Sequence, residues 1–329
     1  MIVLNADEVR QALPMSQAIE AMRQAFMALA SGNAELPLRS RITIPEREAV
    51  TLIMSARLAQ AGMQSLAVKV VSVFPQNREL GLATTQGAVL VVDPTTGEPL
   101  ALLEGSSLTA IRTGATAGAA TDLLARQDSR VVSIIGAGVQ GQTQLEAVCT
   151  VRQIERVWVY DPDAGRVRKM IERMSGEGPV PTDMRAAGSA AEAVRNADII
   201  CTATTALTPV LDDADVRAGT HINAVGTYRP DMQEIPSATI ARSRVVVDSL
   251  EAIWAESGDL IKPWEEGMIG RDHVAAALGE LFLDGHSVRV RDSDITVFKT
   301  VGVAVQDVAA AQVAWTNAQA RGVGTKVSW

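Results

Sequence analysis

Gly136-Ala137-Gly138-Val139-Gln140-Gly141 sets three glycines at the spacing G-x-G-x-x-G, directly after the strand-like run Val131-Val132-Ser133-Ile134-Ile135. In that context each glycine has its own task. The first permits a tight turn, the second lets a pyrophosphate approach the backbone, and the third lets the following helix sit close to the strand. The start of that helix offers free amides and partial positive charge to phosphates. The spacing predicts a dinucleotide site formed by Gly136, Gly138, Val139, Gln140 and Gly141; the alternative is a tight strand–helix turn that holds no ligand. Asp161 ends the next strand-like run, Val157–Tyr160. A carboxylate there accepts hydrogen bonds from the adenosine ribose hydroxyls and repels a 2′-phosphate, which favours NAD(H) over NADP(H). Arg166 and Lys169 stand near enough to soften that discrimination, so NADP(H) stays possible. The competing reading of Asp161 is a turn residue before Pro162.

A second group of residues is charged where charge is awkward. Lys69 lies inside Leu66-Ala67-Val68-Lys69-Val70-Val71. It either faces solvent from an edge strand or is partly buried, and burial would lower its pKa and fit it for proton transfer. Arg112 follows Leu108-Thr109-Ala110-Ile111 and precedes a small-residue helix. It is either an exposed arginine near a helix start or a bidentate clamp for a carboxylate. Arg39 and Arg41, between Pro37 and Pro45, are open to the same two readings as loop charges or anion ligands. Two loops follow strand ends: Thr202-Ala203-Thr204-Thr205, and Gly226-Thr227-Tyr228-Arg229-Pro230-Asp231. In doubly wound sheets ligands bind beyond the C-terminal strand ends, so both loops are expected to face the dinucleotide. Asp231, Glu234 and Asp248 read as solvated loop acids, and His221 as structural.

These residues need elements to hold them. From Arg130 onward strands and helices alternate: strands at Val131–Ile135, Arg156–Tyr160, Asp198–Cys201, Thr220–Val225, Arg244–Val247 and Ile295–Phe298, with helices at Gln140–Val151, Ala164–Met174 and Ala190–Val194. Alternation of this kind implies a parallel, doubly wound sheet. Ahead of it, residues 9–31 read as one helix, 49–54 and 66–73 as strands, and Ala88–Val92 with Pro99–Leu103 as a hairpin turning through Asp93-Pro94-Thr95-Thr96-Gly97. Thr113–Leu124 suits a closely packed helix, and Gly302–Ala320 a last amphipathic helix that returns to the first domain. A chain of 329 residues exceeds what one core usually holds, so two domains are expected. The fold class is α/β: a Rossmann domain, residues 116–302, inserted into an α+β domain made of residues 1–115 and 303–329.

Composition narrows the partners. A net charge of −8 without a basic patch argues against nucleic acid. Apolar stretches are broken before the ~18 residues a membrane span needs, and Met1-Ile2-Val3-Leu4-Asn5 lacks the start of a signal peptide. A cytoplasmic protein is expected. Cys149 and Cys201 have neither metal spacing nor a disulfide framework, and three histidines without pairing make a metal site improbable.

In their order, these segments resemble the ornithine cyclodeaminase/μ-crystallin family over nearly the whole chain. The resemblance rests on Pro37-Leu38-Arg39, Ala67-Val68-Lys69, the Asp93–Gly97 hairpin and Leu108-Thr109-Ala110-Ile111-Arg112-Thr113-Gly114-Ala115. It continues through Ile135–Gln140, His221-Ile222-Asn223-Ala224-Val225-Gly226 and Val297-Phe298-Lys299-Thr300-Val301-Gly302. It implies a homodimer joined through the N-terminal part and the last helix. It implies that Arg39, Lys69 and Arg112 face the substrate, the arginines holding an α-carboxylate and Lys69 handling protons. Tyr228 joins that set, and Thr113, Val225 and Lys299 join the cofactor-facing residues. The family's shared chemistry is hydride exchange between nicotinamide C4 and the α-carbon of an amino acid or its imine. Cyclodeaminases look like Gly-Gly-Asp-x-Pro-Gly-Lys in the loop where this chain has Gly226-Thr227-Tyr228-Arg229-Pro230-Asp231-Met232, so their catalytic aspartate falls on Tyr228. They also carry an acid where Leu52 stands. The resemblance therefore implies an NAD(P)H-dependent reductase or dehydrogenase of a small α-imino, α-keto or amino acid. The alternatives are an ornithine cyclodeaminase and a non-catalytic ligand-binding protein of the μ-crystallin type.

Overall fold

A computed structural model describes residues 1–60 and 63–328. They fall into two compact units, one of Met1–Arg112 with the chain from Val303 on, the other of Thr113–Gly302. The first unit opens with β1 (Ile2–Leu4), α1 (Ala6–Ala12) and α2 (Met15–Ala30). The sequence predicts a single helix over 9–31, but the structure divides it at Leu13-Pro14. Pro14 cannot donate into a helical ladder and instead caps α2 in an extended conformation. Asn5 caps α1 by accepting from Asp7 N and Glu8 N, and in return Asn5 N donates to Glu8 Oε2. Next come β2 (Ala34–Glu35), β3 (Ser40–Ile44), β4 (Ala49–Gln60), β5 (Met63–Val73), β6 (Thr85–Val92) and β7 (Pro99–Glu104). They pair in the order β1-β7-β6-β5-β4, with β2 and β3 both on β4. All these ladders are antiparallel except β1 with β7.

Helix α3 (Gly105–Leu124) starts eight residues before the predicted Thr113. Glu104, the last residue of β7, explains the early start: its carboxylate accepts from Ser106 N and Ser107 N at 2.7 Å each and so satisfies the first turn.

The second unit carries β8 (Val131–Ile135), α4 (Val139–Val151), β9 (Arg156–Tyr160), α5 (Ala164–Met174), β10 (Met184–Ala186), α6 (Ala190–Val194), β11 (Ile199–Thr202) and β12 (His221–Ala224). It continues with α7 (Ser237–Ala241), β13 (Arg244–Val247), α8 (Leu250–Glu256), α9 (Gly258–Glu265), β14 (Val274–Ala277), α10 (Leu278–Asp284) and β15 (Thr296–Lys299). The strands form one sheet in the order β10-β9-β8-β11-β12-β15-β13-β14, every pair parallel. The order reverses between β8 and β11, which is the switch point of a doubly wound sheet. Both faces are covered, so strands such as Ile199–Thr202 are buried at every residue and read as continuous runs rather than alternations.

The chain then returns to the first unit as α11 (Ala304–Arg321) and β16 (Thr325–Lys326), the latter antiparallel to β1. Small residues on α11, among them Ala309, Ala310, Ala311 and Ala314, are fully buried and bring this helix close to β4 and β5. Phe26, Met22, Leu58, Val89 and Leu103 complete the core. The other face of the sheet stays open, with Ile53, Val70 and Ile42 at 37%, 42% and 54% exposure. Among the described residues no helix is long and apolar enough to cross a membrane.

Candidate active site

Strand alternation decides between the two readings of Lys69. Along β5, Ala67, Lys69 and Val71 are buried and Val70 is exposed. Lys69 sits in register with Met54 on one side and Val89 on the other, so it points into the core face. A lone ammonium there would be very costly. It is matched by Asp307 of α11, whose Oδ2 lies 2.6 Å from Lys69 Nζ. The other oxygen of the same carboxylate accepts from Arg112 Nε at 2.9 Å. Arg112 Nη1 donates to Gln306 Oε1 at 2.5 Å, and Gln306 Oε1 also accepts from Val303 N. Arg112 is thus a buried ion-pair member rather than an exposed helix-start arginine. Burial pulls the Lys69 pKa down to about 8; Asp307 opposes that shift, while the charges of Arg112 and Arg39 add to it. Arg39 is half-buried in the segment leading to β3, and Arg41, on β3, is exposed. Sequence reasoning missed Gln306 and Asp307. Their one signal is a polar pair inside the run Val303–Ala311, otherwise apolar and buried throughout.

In the second unit the predicted residues, apart from Thr113 on α3, gather at the C-terminal ends of five adjacent strands, β9, β8, β11, β12 and β15. Gly136 has φ +104, and a Cβ there would stand 2.6 Å from the carbonyl oxygen of Ala203. At Gly141 a Cβ would run into the carbonyl oxygen of Gly136. Gly138 differs: its φ is an ordinary −78 and nothing lies within 4 Å of a Cβ built on it. The first and third glycines therefore serve the protein's own packing, and the second leaves open space in front of the backbone. No side chain caps α4, and Val139 in its first turn is 59% exposed. Thr202 Oγ1 and Gln140 Oε1 are buried without a hydrogen-bond partner. Asp161 accepts from Ala137 N through Oδ2 and from Asp163 N through Oδ1, both at 2.9 Å, so its carboxylate is fixed beside the glycine turn. An open cradle, uncapped amides and an adjacent carboxylate fit a dinucleotide.

The loops beyond β11 and β12 are fastened to each other. Glu234 accepts from Thr204 N at 2.6 Å, Thr204 Oγ1 at 2.8 Å and Gly226 N at 2.8 Å. Asp259 accepts from Glu234 N, Ile235 N and Thr227 Oγ1, and lies 3.0 Å from Lys299 Nζ. Lys299, expected among the cofactor-facing residues, is fully buried and directs its ammonium to Asp259 and to both oxygens of Thr227. Glu234 and Asp248 are not the solvated acids the sequence suggests. Both are buried, and burial pushes each carboxyl pKa up. Asp248 accepts from Thr300 Oγ1, Val301 N and Gly302 N. Asp231 is exposed and pairs with Arg229. Tyr228 is 43% exposed on its loop, Val225 is half-buried at the end of β12, and Thr113 is buried on α3. His221 bonds Thr296 and Asn223 inside the sheet, and burial drives its pKa down to about 3, so it stays neutral and structural.

The model of the ornithine cyclodeaminase/mu-crystallin family matches residues 1–322. A Delta(1)-pyrroline-2-carboxylate reductase of Bacillus cereus is 38% identical over the full length of both chains. Among solved structures, the Thermococcus litoralis Delta(1)-pyrroline-2-carboxylate reductase in complex with NADH and L-proline superposes with a TM-score of 0.94 at 42% identity, covering 99% of this chain and 100% of its own. An archaeal alanine dehydrogenase dimer with bound NAD gives 0.91 at 32% identity, covering 100% and 99%.

Proposed function

The chain belongs to the ornithine cyclodeaminase/mu-crystallin family, and on that premise we propose that it is an NADH-dependent reductase of a small α-imino acid, with a cyclic imine such as Δ1-pyrroline-2-carboxylate as its leading substrate. One observation carries the reading: a buried lysine beside a buried arginine, both on one carboxylate. An imine carbon accepts hydride readily only when its nitrogen is protonated. Lys69, with a pKa near 8, is mostly protonated at neutral pH yet gives up its proton easily, as a general acid must. Arg112 and Arg39 suit the α-carboxylate. Gly136, Gly138, Val139, Gln140 and Gly141 would hold the pyrophosphate and Asp161 the ribose. Thr113, Thr202, Ala203, Thr204, Val225 and Gly226 would line the rest. NADH supplies the hydride when bound.

Leu52 and Tyr228 speak against the cyclodeaminase alternative, since ornithine's second amine needs an anionic group to receive its protons. The Thermococcus litoralis Delta(1)-pyrroline-2-carboxylate reductase is also the more similar of the two NAD-bound structures, at 42% identity against 32% for the alanine dehydrogenase. The open sheet face around Ile53 and Val70 supports a homodimer joined through that face. The reading is tested by following NADH absorbance and ammonia in parallel. NADH loss with Δ1-pyrroline-2-carboxylate is expected. Ammonia release from ornithine with no net change in NADH would replace this reading with the cyclodeaminase one, and no turnover of any imine would leave a binding protein.

A further inference from the structure

We propose that Asp307 is the positioning residue of this centre: its one carboxylate holds the Lys69 ammonium through Oδ2 and the Arg112 guanidinium through Oδ1, so a single side chain of the last helix keeps the proton donor charged and aims the carboxylate clamp. The inference rests on the reading of Lys69 as proton donor. Three features of the geometry carry it. Lys69 and Asp307 have side chains only 2% exposed, and Arg112 only 6%. Their interaction is therefore screened little by solvent. The carboxylate is divided, one oxygen to each cation, at 2.6 and 2.9 Å, so neither cation moves without disturbing the other. Finally, Gln306, next in the chain, bonds Arg112 Nη1 and is itself fixed by Val303 N at the start of α11. The first turn of that helix thus delivers two adjacent side chains to one guanidinium.

The charged groups acting on Lys69 are Asp307 from α11, Arg112 from α3 and Arg39 from the segment before β3; its strand neighbours Met54 and Val89 add none. Burial and both arginines disfavour the ammonium, and Asp307 favours it. Neutralising Asp307 without changing its shape should therefore let Lys69 lose its proton at lower pH. A carboxylate that paired with Lys69 only to hold the fold together would move that titration too, but would leave the alkaline limb of kcat and KM for the imino acid where they are.

The chain has five lysines, so the full-length protein labelled with 13C-lysine can be titrated by NMR signal by signal. The Lys69 signal is assigned by its loss in Lys69→Arg. In Asp307→Asn the Lys69 midpoint should fall by about one pH unit or more, the size expected from losing an opposite charge in contact. Asp307→Glu should restore most of it. The alkaline limb of kcat for imine reduction should move by the same amount and in the same direction, and KM for the imino acid should rise as Arg112 loses its anchor. Should Asp307→Asn not fold, Asp307→Ser, smaller and equally neutral, gives the same reading. An unmoved Lys69 midpoint overturns the proposal, whatever happens to activity. A midpoint that falls while the kcat limb stays in place supports the coupling but removes Lys69 as proton donor, and the reading of function fails separately.

Discussion

A lysine pointing into a protein core is tolerated only if its charge is matched or given up, and Lys69 lies between the two: ion-paired to Asp307, yet drawn down to about pH 8. The sign of its pH dependence follows. Below about 8 the ammonium is present and can donate; above it the donor form disappears. Imine reduction should therefore lose kcat above about pH 8, and the reverse oxidation, which needs the neutral amine as base, should gain over the same range. Lys69→Met should abolish this limb and lower kcat by about 10²–10⁴, the usual loss for an acid–base group, with NADH affinity unchanged. Arg112→Met should fail differently, raising KM for the imino acid by a factor equivalent to ~2–5 kcal/mol. A pH profile that survives in Lys69→Met would move the proton donor elsewhere. The strand around Lys69 was readable in the sequence, but its burial was not, because a continuous apolar run with one charge in it does not say which face the core covers. Asp307 was hard to read for a related reason: its partners lie far away in the chain, and a polar pair in an apolar helix run does not say which cation it meets.

Among the elements, the strand–glycine–helix unit was the most legible part, since turn chemistry is local. The structure adds a division of labour that spacing alone does not show. Gly136 is needed for its positive φ and its closeness to Ala203, whereas Gly138 is needed only for the space in front of it. Gly138→Ala should thus fold with unchanged or slightly higher stability, since alanine fits its φ and narrows the unfolded ensemble by ~0.4–1 kcal/mol, while NADH binding weakens tenfold or more. Gly136→Ala should lower the melting temperature as well. Calorimetric titration with NADH alongside thermal melts separates the two; normal NADH affinity in Gly138→Ala would mean that the cofactor does not cross this turn. Elements set by caps rather than periodicity were the less legible ones. Pro14 breaks a pattern that periodicity carries through, and Glu104 starts α3 early from outside the helix.

For the whole molecule, the first unit covers one face of its sheet with α11 and leaves the other apolar and open. Ile53 and Val70 are direct cross-strand partners on that open face. A second copy of the chain would cover them, so light scattering should give twice 34.8 kDa, and Ile53→Glu with Val70→Glu should reduce it to the monomer mass. A wild-type monomer would leave the face without this explanation. The alternation of strands and helices gave the second unit's parallel sheet away, while the place of β15 between β12 and β13 depends on packing that no local pattern records. Hydride delivery to an α-carbon is tested by isotope. With NADH deuterated at the transferred C4 position and Δ1-pyrroline-2-carboxylate, mass spectrometry and NMR of the product should find one deuterium at Cα of the amino acid. NADH consumption with no deuterium in the amino acid, or no consumption with any imino acid offered, would contradict it.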